Sequence, residues 1–322
     1  MRALLAGFVL VCLAAFSSAS FCRELRVADT HPADYPTVQA LDHMGRLLAE
    51  RSQGRLTLKV LHSRLMGEED ETIQHVRVGA LDMARVNLAP LNTLVPETAV
   101  PSLPFLFRSP DHLHRVFDGP IGADIAKAFE RHGFIALAFY DSGSRSFYNS
   151  RRPLAVPADL RNLRMRVQQS PVAEAMVRAL GATPAPLPYG QVGVALRTGV
   201  IDGAENNWPS YQDAHHFEAA RFYSLTEHTM APEVLLMSRK VWDGLSGAEQ
   251  ALLRQAAQDS VPVMRALWRE RERTARDALA AAGVAVNTVD KAAFAEAMRP
   301  VHEHFAGDAR QKDLLRRIQA AE

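Results

Sequence analysis

Apolar and polar positions recur along this chain with two different periods, and the changes of period mark its elements. Arg23 to Ala28 reads as a short strand that ends in the polar run Asp29-Thr30-His31-Pro32. From Pro36 onward, Val38, Leu41, Met44, Leu47 and Leu48 return at helical spacing until Gly54, which predicts an amphipathic helix with a glycine stop. Leu56 to Leu61 alternates as a strand does. Gly67 then precedes the acidic turn Glu68-Glu69-Asp70-Glu71, a composition suited to the positive N-terminal end of a helix. That helix runs to about Gly79, and Leu81 to Val86 reads as the next strand. The order β-α-β-α-β predicts a parallel sheet covered by helices.

A second α/β unit follows. Phe134 to Tyr140 reads as a buried strand, and Ser146 to Asn149 and Leu163 to Val167 as extended segments. Val172 to Leu180 is helical and stops at Gly181, Ala182 to Pro188 is proline-rich and extended, and Val192 to Arg197 is a short helix. Ile201 to Glu205 returns as a strand into Asn206-Asn207-Trp208-Pro209. From Ser246 to Ala282 one long helix is expected, its apolar face carrying Leu252, Leu253, Ala256, Ala257, Val263, Met264, Leu267 and Trp268. At 1.5 Å per residue it reaches about 55 Å, longer than one domain needs, with Pro262 as a point of bending. Two further helices close the chain, one ending over His302 to Phe305 and one over Gln311 to Ala321. The pattern predicts an α/β protein of two domains, with the chain crossing between them more than once. Residues 21–142 plus 231–270 form one domain and 143–230 plus 271–322 the other, with the long helix lying across both. A cleft between two such domains is where a small ligand binds.

The N-terminus adds a destination. Met1-Arg2 precedes an apolar run of about 14 residues, Ala3 to Phe16, and then Ser17-Ser18-Ala19-Ser20. This is the layout of a cleaved secretory signal peptide, and the run is shorter than the about 20 residues a membrane-spanning helix needs. Cleavage is expected after residue 20. Cys12 leaves with the segment, so Cys22 has no intramolecular partner. The bulky Phe21 before Cys22 argues against lipidation, and no later stretch is apolar and long enough to span a bilayer. With 37 Lys and Arg against 36 Asp and Glu, and Arg2 removed, the charges balance, which gives no electrostatic footprint for nucleic acid.

Catalytic signatures are missing. His215 and His216 are adjacent, and His112/His114 and His302/His304 are two apart, spacings that do not converge on a metal from a helix. There is no nucleophile elbow around Ser144 and no glycine-rich nucleotide loop. No cofactor and no enzymatic activity are expected.

Two arginines stand out instead. Arg145 follows the strand Phe134 to Tyr140 within Asp141-Ser-Gly-Ser-Arg145, and Arg166 lies in Leu163-Arg-Met-Arg-Val167, where the strand period puts Arg164 and Arg166 on one face. Gln168, Gln169, Ser170 and Pro171 then end the strand and start a helix. Residues at strand carboxyl ends line the crevice of open α/β sheets, and an arginine there can grip a carboxylate through two parallel hydrogen bonds. From spacing alone, a structural ion pair is an equally good reading of either arginine.

These segments, together with Ala-Leu-Arg-Thr-Gly-Val-Ile-Asp202-Gly-Ala-Glu-Asn206 and the late helix, resemble a solute-binding protein of a tripartite ATP-independent periplasmic (TRAP) transporter, of the DctP type. The resemblance covers the chain from Leu25 onward. It implies a two-domain periplasmic binding-protein-like fold with an interdomain cleft, and a periplasmic protein, expected to be monomeric, that delivers its ligand to small and large membrane subunits. It assigns Arg166 as the carboxylate clamp, Asn206 as a cleft asparagine, Arg145 as a second arginine and Tyr189 as an aromatic wall. Asn87 stands where sialate-binding relatives carry an acid, which puts sialic acid in doubt.

The remaining candidates narrow the ligand. His31 lies in the polar segment after the first strand, Glu69 and Glu71 stand at a helix start, Trp208 offers a ring beside amides, and Glu233 follows Ala231-Pro232 at a domain crossing. Each has a plainer reading: a turn cap for His31, helix-dipole partners for Glu69 and Glu71, a core ring for Trp208, a solvated acid for Glu233. So many neutral and acidic groups beside two arginines suit a sugar acid better than a dicarboxylate. The same segments resemble the hexuronate-binding branch, for glucuronate or galacturonate. Another organic acid (an aldonate, an aromatic or a C4 acid), a role presenting ligand to a sensor, and a hydrolase using Glu69 and Glu71 are the rival readings.

Overall fold

The computed structural model describes residues 22–321; the expected signal peptide lies outside the described residues. The strands are β1 (Arg23–Ala28), β2 (Leu56–Leu61), β3 (Met83–Asn87), β4 (Phe134–Asn149), β5 (Arg164–Val167), β6 (Thr183–Pro186), β7 (Gly203–Asn206), β8 (Phe222–Ser238) and β9 (Ala285–Asn287). The helices of the first half are α1 (Pro36–Arg51), α2 (Glu69–Val78), α3 (Pro110–Asp118) and α4 (Pro120–Glu130). Then come α5 (Pro171–Ala179), α6 (Val192–Arg197), α7 (Trp208–Asp213), α8 (Arg239–Asp243), α9 (Gly247–Ala281), α10 (Lys291–Ala297), α11 (Arg299–Phe305) and α12 (Ala309–Ala320).

The strands form one sheet in the order β2-β1-β3-β8-β4-β7-β5-β6, with β9 beside β8. β1, β2 and β3 pair in parallel at one end, and β5, β6 and β7 do so at the other. Between them β4 and β8, of 16 and 17 residues, pair antiparallel along the length of both halves. Sequence periodicity splits β4 into two segments and gives no strand over β8. Both strands change environment midway, so no single alternation runs through them. Their ladder slips between Asp141 and Ser144 and again between Arg145 and Phe147, and Gly143 there has a φ of 62°, a backbone state that costs an L side chain about 1–2 kcal/mol. A bulged ladder bends and twists a strand locally, and here it marks where one half of the sheet becomes the other.

The long helix is explained by which core each of its residues enters. Leu253, Ala256, Ala257, Val261, Met264 and Trp268 of α9 pack with Leu25, Val38, Leu41 and Leu235 in the first half. Ala275 and Leu279 pack instead with Tyr148, Trp208, Tyr211 and Tyr223 in the second. The charged stretch Arg269 to Arg273 falls between the two cores. Pro262 sits inside the helix without ending it. No described helix is long and apolar enough to cross a membrane.

Gly203 opens β7 at the point where that strand meets β4. A Cβ there would sit 2.4 Å from the Tyr148 carbonyl oxygen and 2.7 Å from Asn149 Cβ, the residues it pairs beside. Backbone on the far side cannot yield as a side chain would. Gly203→Ala is therefore expected to lower stability by about 1–3 kcal/mol, read as a shift of the urea midpoint; an unchanged midpoint would show that the β4–β7 contact is loose.

Candidate functional site

The carboxyl ends of β1 and β3 face those of β5 and β7 across a cleft with about 510 Å³ of empty space. His31, Glu69, Asn87, Arg145, Arg166, Gln168, Tyr189, Asn206 and Glu233 all line it. The halves touch around its rim. Tyr35 Oη and Ser210 Oγ are 2.8 Å apart, Gly190 N donates to Glu68 Oε1 at 3.1 Å, and Ser170 Oγ donates to Asn92 Oδ1 at 2.6 Å.

Two expected residues lie elsewhere. Glu71 occupies the third position of α2 and reaches back, accepting from the Glu68 backbone N–H at 2.8 Å; a glutamate at that position closes a capping box and turns away from the cleft. Trp208 is core, stacked on Tyr223 at 4.0 Å with Arg276 over its ring. As the first residue of α7 it points inward, while the capping Asn207 and Ser210 face the cleft.

The two arginines have different surroundings. Arg145 is satisfied within the protein. Its Nε donates to Glu205 Oε2 at 2.5 Å, its Nη2 to Glu205 Oε1 and to the Glu205 carbonyl at 2.8 Å each, and its Nη1 to Asn206 Oδ1 at 2.8 Å. Burial raises the Glu205 pKa, but the charge and hydrogen bonds of Arg145 outweigh it and hold the carboxyl at about 2. The expected second clamp is thus a support: with the Asn207 N–H also donating to Asn206 Oδ1 at 2.9 Å, the amide of Asn206 is fixed with Nδ2 as its open donor. Arg166 is 4% exposed and makes one protein hydrogen bond, from Nε to the Leu187 carbonyl at 2.8 Å. Its Nη groups have no partner among the described residues, and burial together with the nearby charge of Arg145 lowers its pKa. Arg164, on the same strand, extends outward to Asp202.

Opposite Arg166 lies a group that periodicity did not pick out. Arg85, in the middle of β3, has a wholly buried side chain. Its Nε and Nη2 donate to Asp29 Oδ2 and Oδ1 at 2.9 and 2.5 Å, and its Nη1 donates to Glu233 Oε1 and Glu69 Oε1 at 3.1 and 3.4 Å. Its Nη2 is also 2.5 Å from His31 Nδ1. The same Nδ1 is 3.1 Å from Asp29 Oδ1, which ties the His31 ring to the Arg85–Asp29 pair. The signal in the sequence was one arginine inside the apolar run Met83-Ala84-Arg85-Val86. Burial opposes the charge on Asp29, but Arg85 and its hydrogen bonds outweigh it, keeping the carboxyl well below the ordinary range. For Glu233 burial wins: it raises the pKa, Arg85 opposes, Asp29 and Glu69 add to the rise, and the result is about 7.

Three oxygens on this side are buried without a hydrogen-bond partner: Glu68 Oε2, Asn87 Oδ1 and Glu233 Oε2. Asn87 is oriented by Glu69 Oε1, which accepts from its N–H and its Nδ2 at 3.0 and 2.9 Å. One wall of the cleft therefore offers a cation and donors, and the other offers acceptors. Sequence reasoning missed Glu68 as a lining residue because a helix-capping run of four acids gives no hint which one turns inward. Among the described residues no three His, Cys, Asp or Glu side chains are grouped to hold a metal ion.

This geometry has known counterparts. The family model described as bacterial extracellular solute-binding protein, family 7 (DctP) matches residues 27–308. A TRAP periplasmic solute-binding protein of Bradyrhizobium sp. BTAi1, solved with α/β-D-galacturonate, is 54% identical with a TM-score of 0.91, covering 92% of this chain and 99% of its own. One of Roseobacter denitrificans, solved with β-D-glucuronate, is 40% identical with a TM-score of 0.91, covering 93% and 100%. A solute-binding protein of Chromohalobacter salexigens is 39% identical over 286 residues, 88% of this chain and 85% of its own. The two solved proteins share this fold over nearly their whole length, and the chain belongs to the DctP family of bacterial extracellular solute-binding proteins, the binding components of TRAP transporters.

Proposed function

We propose that this protein captures a hexuronate, galacturonate or glucuronate, in the periplasm and hands it to the membrane subunits of a TRAP transporter. The observation that carries the reading is the polarity of the cleft. Arg166 is a buried cation with unfilled donors on one wall, and Glu68 and Asn87 present unfilled acceptors on the other. A buried charge without a partner is costly, and a ligand carboxylate supplies the partner in a planar, two-pronged contact. The acceptors match the hydroxyl hydrogens of a sugar. The relatives from Bradyrhizobium and Roseobacter, which hold galacturonate and glucuronate, support the same class. A second carboxylate would meet Glu68, Glu69 and Glu233, because Arg85 and Arg145 are already neutralised by Asp29 and Glu205.

The halves 21–142 plus 231–270 and 143–230 plus 271–322 act as the closing domains. The ligand touches both, so its binding favours the closed arrangement over the open one. The rim contacts between Tyr35 and Ser210 and between Glu68 and Gly190 are then made on closure and released on opening.

Arg166→Ala is expected to weaken D-galacturonate binding by about 2–5 kcal/mol, on the order of 30- to several-thousand-fold in Kd, by titration calorimetry. The melting temperature of the ligand-free variant should equal or exceed the wild type, since an unpaired buried charge is removed; unchanged affinity would refute the assignment. In a thermal-shift series at millimolar ligand, galacturonate and glucuronate should raise the melting temperature, by about 4 kcal/mol of added stability at a thousandfold excess over Kd, and succinate should not. A shift with succinate alone would replace the sugar acid by a C4 acid.

A further inference from the structure

The acidic end of the cleft contains more negative charge than its one cation can balance. Arg85 faces three carboxylates, those of Asp29, Glu69 and Glu233, and they are not equally supported. Asp29 accepts two hydrogen bonds from Arg85, one from Thr37 Oγ1 at 2.7 Å and one from the His31 backbone N–H at 2.9 Å. Glu69 Oε1 accepts from both Asn87 donors and shares Nη1 of Arg85. Glu233 receives only that shared Nη1, and its Oε2 has no partner although the residue is 1% exposed.

Burial and the neighbouring carboxylates favour the neutral form of Glu233 over the opposing charge of Arg85 and the hydroxyl of Ser142. Asp29 stands at the end of β1, Glu69 at the start of α2, and Arg85 between them on β3. Tyr140 and Ser142 come from β4, and Tyr35 and His31 from the segment entering α1. Of these, one group is a cation, and two other carboxylates compete for it. A buried carboxylic acid needs an acceptor for its O–H, and Glu233 lines the cleft.

We propose that Glu233 enters the complex as a neutral carboxylic acid that donates its hydrogen to an oxygen of the bound sugar acid, so that closure on the anion takes up one proton from water. This rests on the hexuronate reading and gives it a specificity element: a donor at the far end from Arg166, beside acceptors, where a second ligand carboxylate would be repelled. The proton goes from solvent to Glu233 Oε2 as the cleft loses its water, and no covalent bond changes.

A pH dependence follows. In the closed protein burial pushes Glu233 up to about 7; in an open, hydrated cleft the carboxyl returns toward its ordinary 4.5. Between these limits the closed complex holds more protons than the open protein. Kd therefore rises with pH across that window, by at most tenfold per unit, and levels off above it. Glu68 also has a raised pKa, from burial, and is the group to control for, whereas burial lowers His31.

The test is calorimetry of D-galacturonate binding at pH 6 in buffers of different ionisation enthalpy. Wild type should take up roughly half to one proton per ligand, Glu68→Gln the same, and Glu233→Gln close to none, with a Kd that is flat from pH 5 to 7.5. Absence of uptake in the wild type, or equal uptake in Glu233→Gln, overturns the proposal while leaving hexuronate binding standing. If the wild type binds no hexuronate, the functional reading fails and this proposal fails with it.

Discussion

A guanidinium held out of water without a carboxylate is the constraint around which this cleft is arranged. The protein could have neutralised Arg166 as it neutralised Arg145, whose four donor contacts all end on Glu205 and Asn206. It uses a backbone carbonyl for one donor and leaves the rest open. The stability forgone there is recovered only when an anion arrives, which is how a binding site trades folding stability for affinity.

The remaining buried charges make that single vacancy specific. Glu205 and Arg145 form a closed pair that fixes the amide of Asn206. Arg85 draws Asp29, Glu69 and Glu233 into one cluster on the opposite wall. Each cluster is tied to strands of its own half, so the two walls are rigid separately and complementary together. Rigid first contacts lower the ordering cost of binding, and the opposed polarity of the walls discriminates against ligands with charge at both ends.

Motion and rigidity meet at the centre of β4 and β8. These strands carry the sheet through both halves, yet their ladder is interrupted beside Gly143. The α9 helix bridges the same region with a charged stretch between its two apolar contact zones. Few residues at that point have to change conformation for the halves to separate, as in hinge closure generally.

How much of this was legible in the sequence depends on the range of each signal. Local periodicity placed β1, α1, β2 and α2, the short α6 and the long α9, because each has one exposed and one buried face. It did not find β8, whose first half mixes buried and partly exposed positions before a wholly buried second half, nor α3 and α4. Arg166, Asn206, Glu69 and His31 were marked by their positions at strand and helix ends, where open sheets form crevices. Arg85, the inward turn of Glu68 over Glu71, the core position of Trp208 and the pairing of Arg145 with Glu205 depend on which side chains meet after distant segments pack. The sequence by itself determined the alternating elements and the resemblance to a binding-protein family. Only the tertiary structure decided which charges are neutralised and which one is left open, because desolvation and pairing are properties of the assembled cleft and not of spacing along the chain.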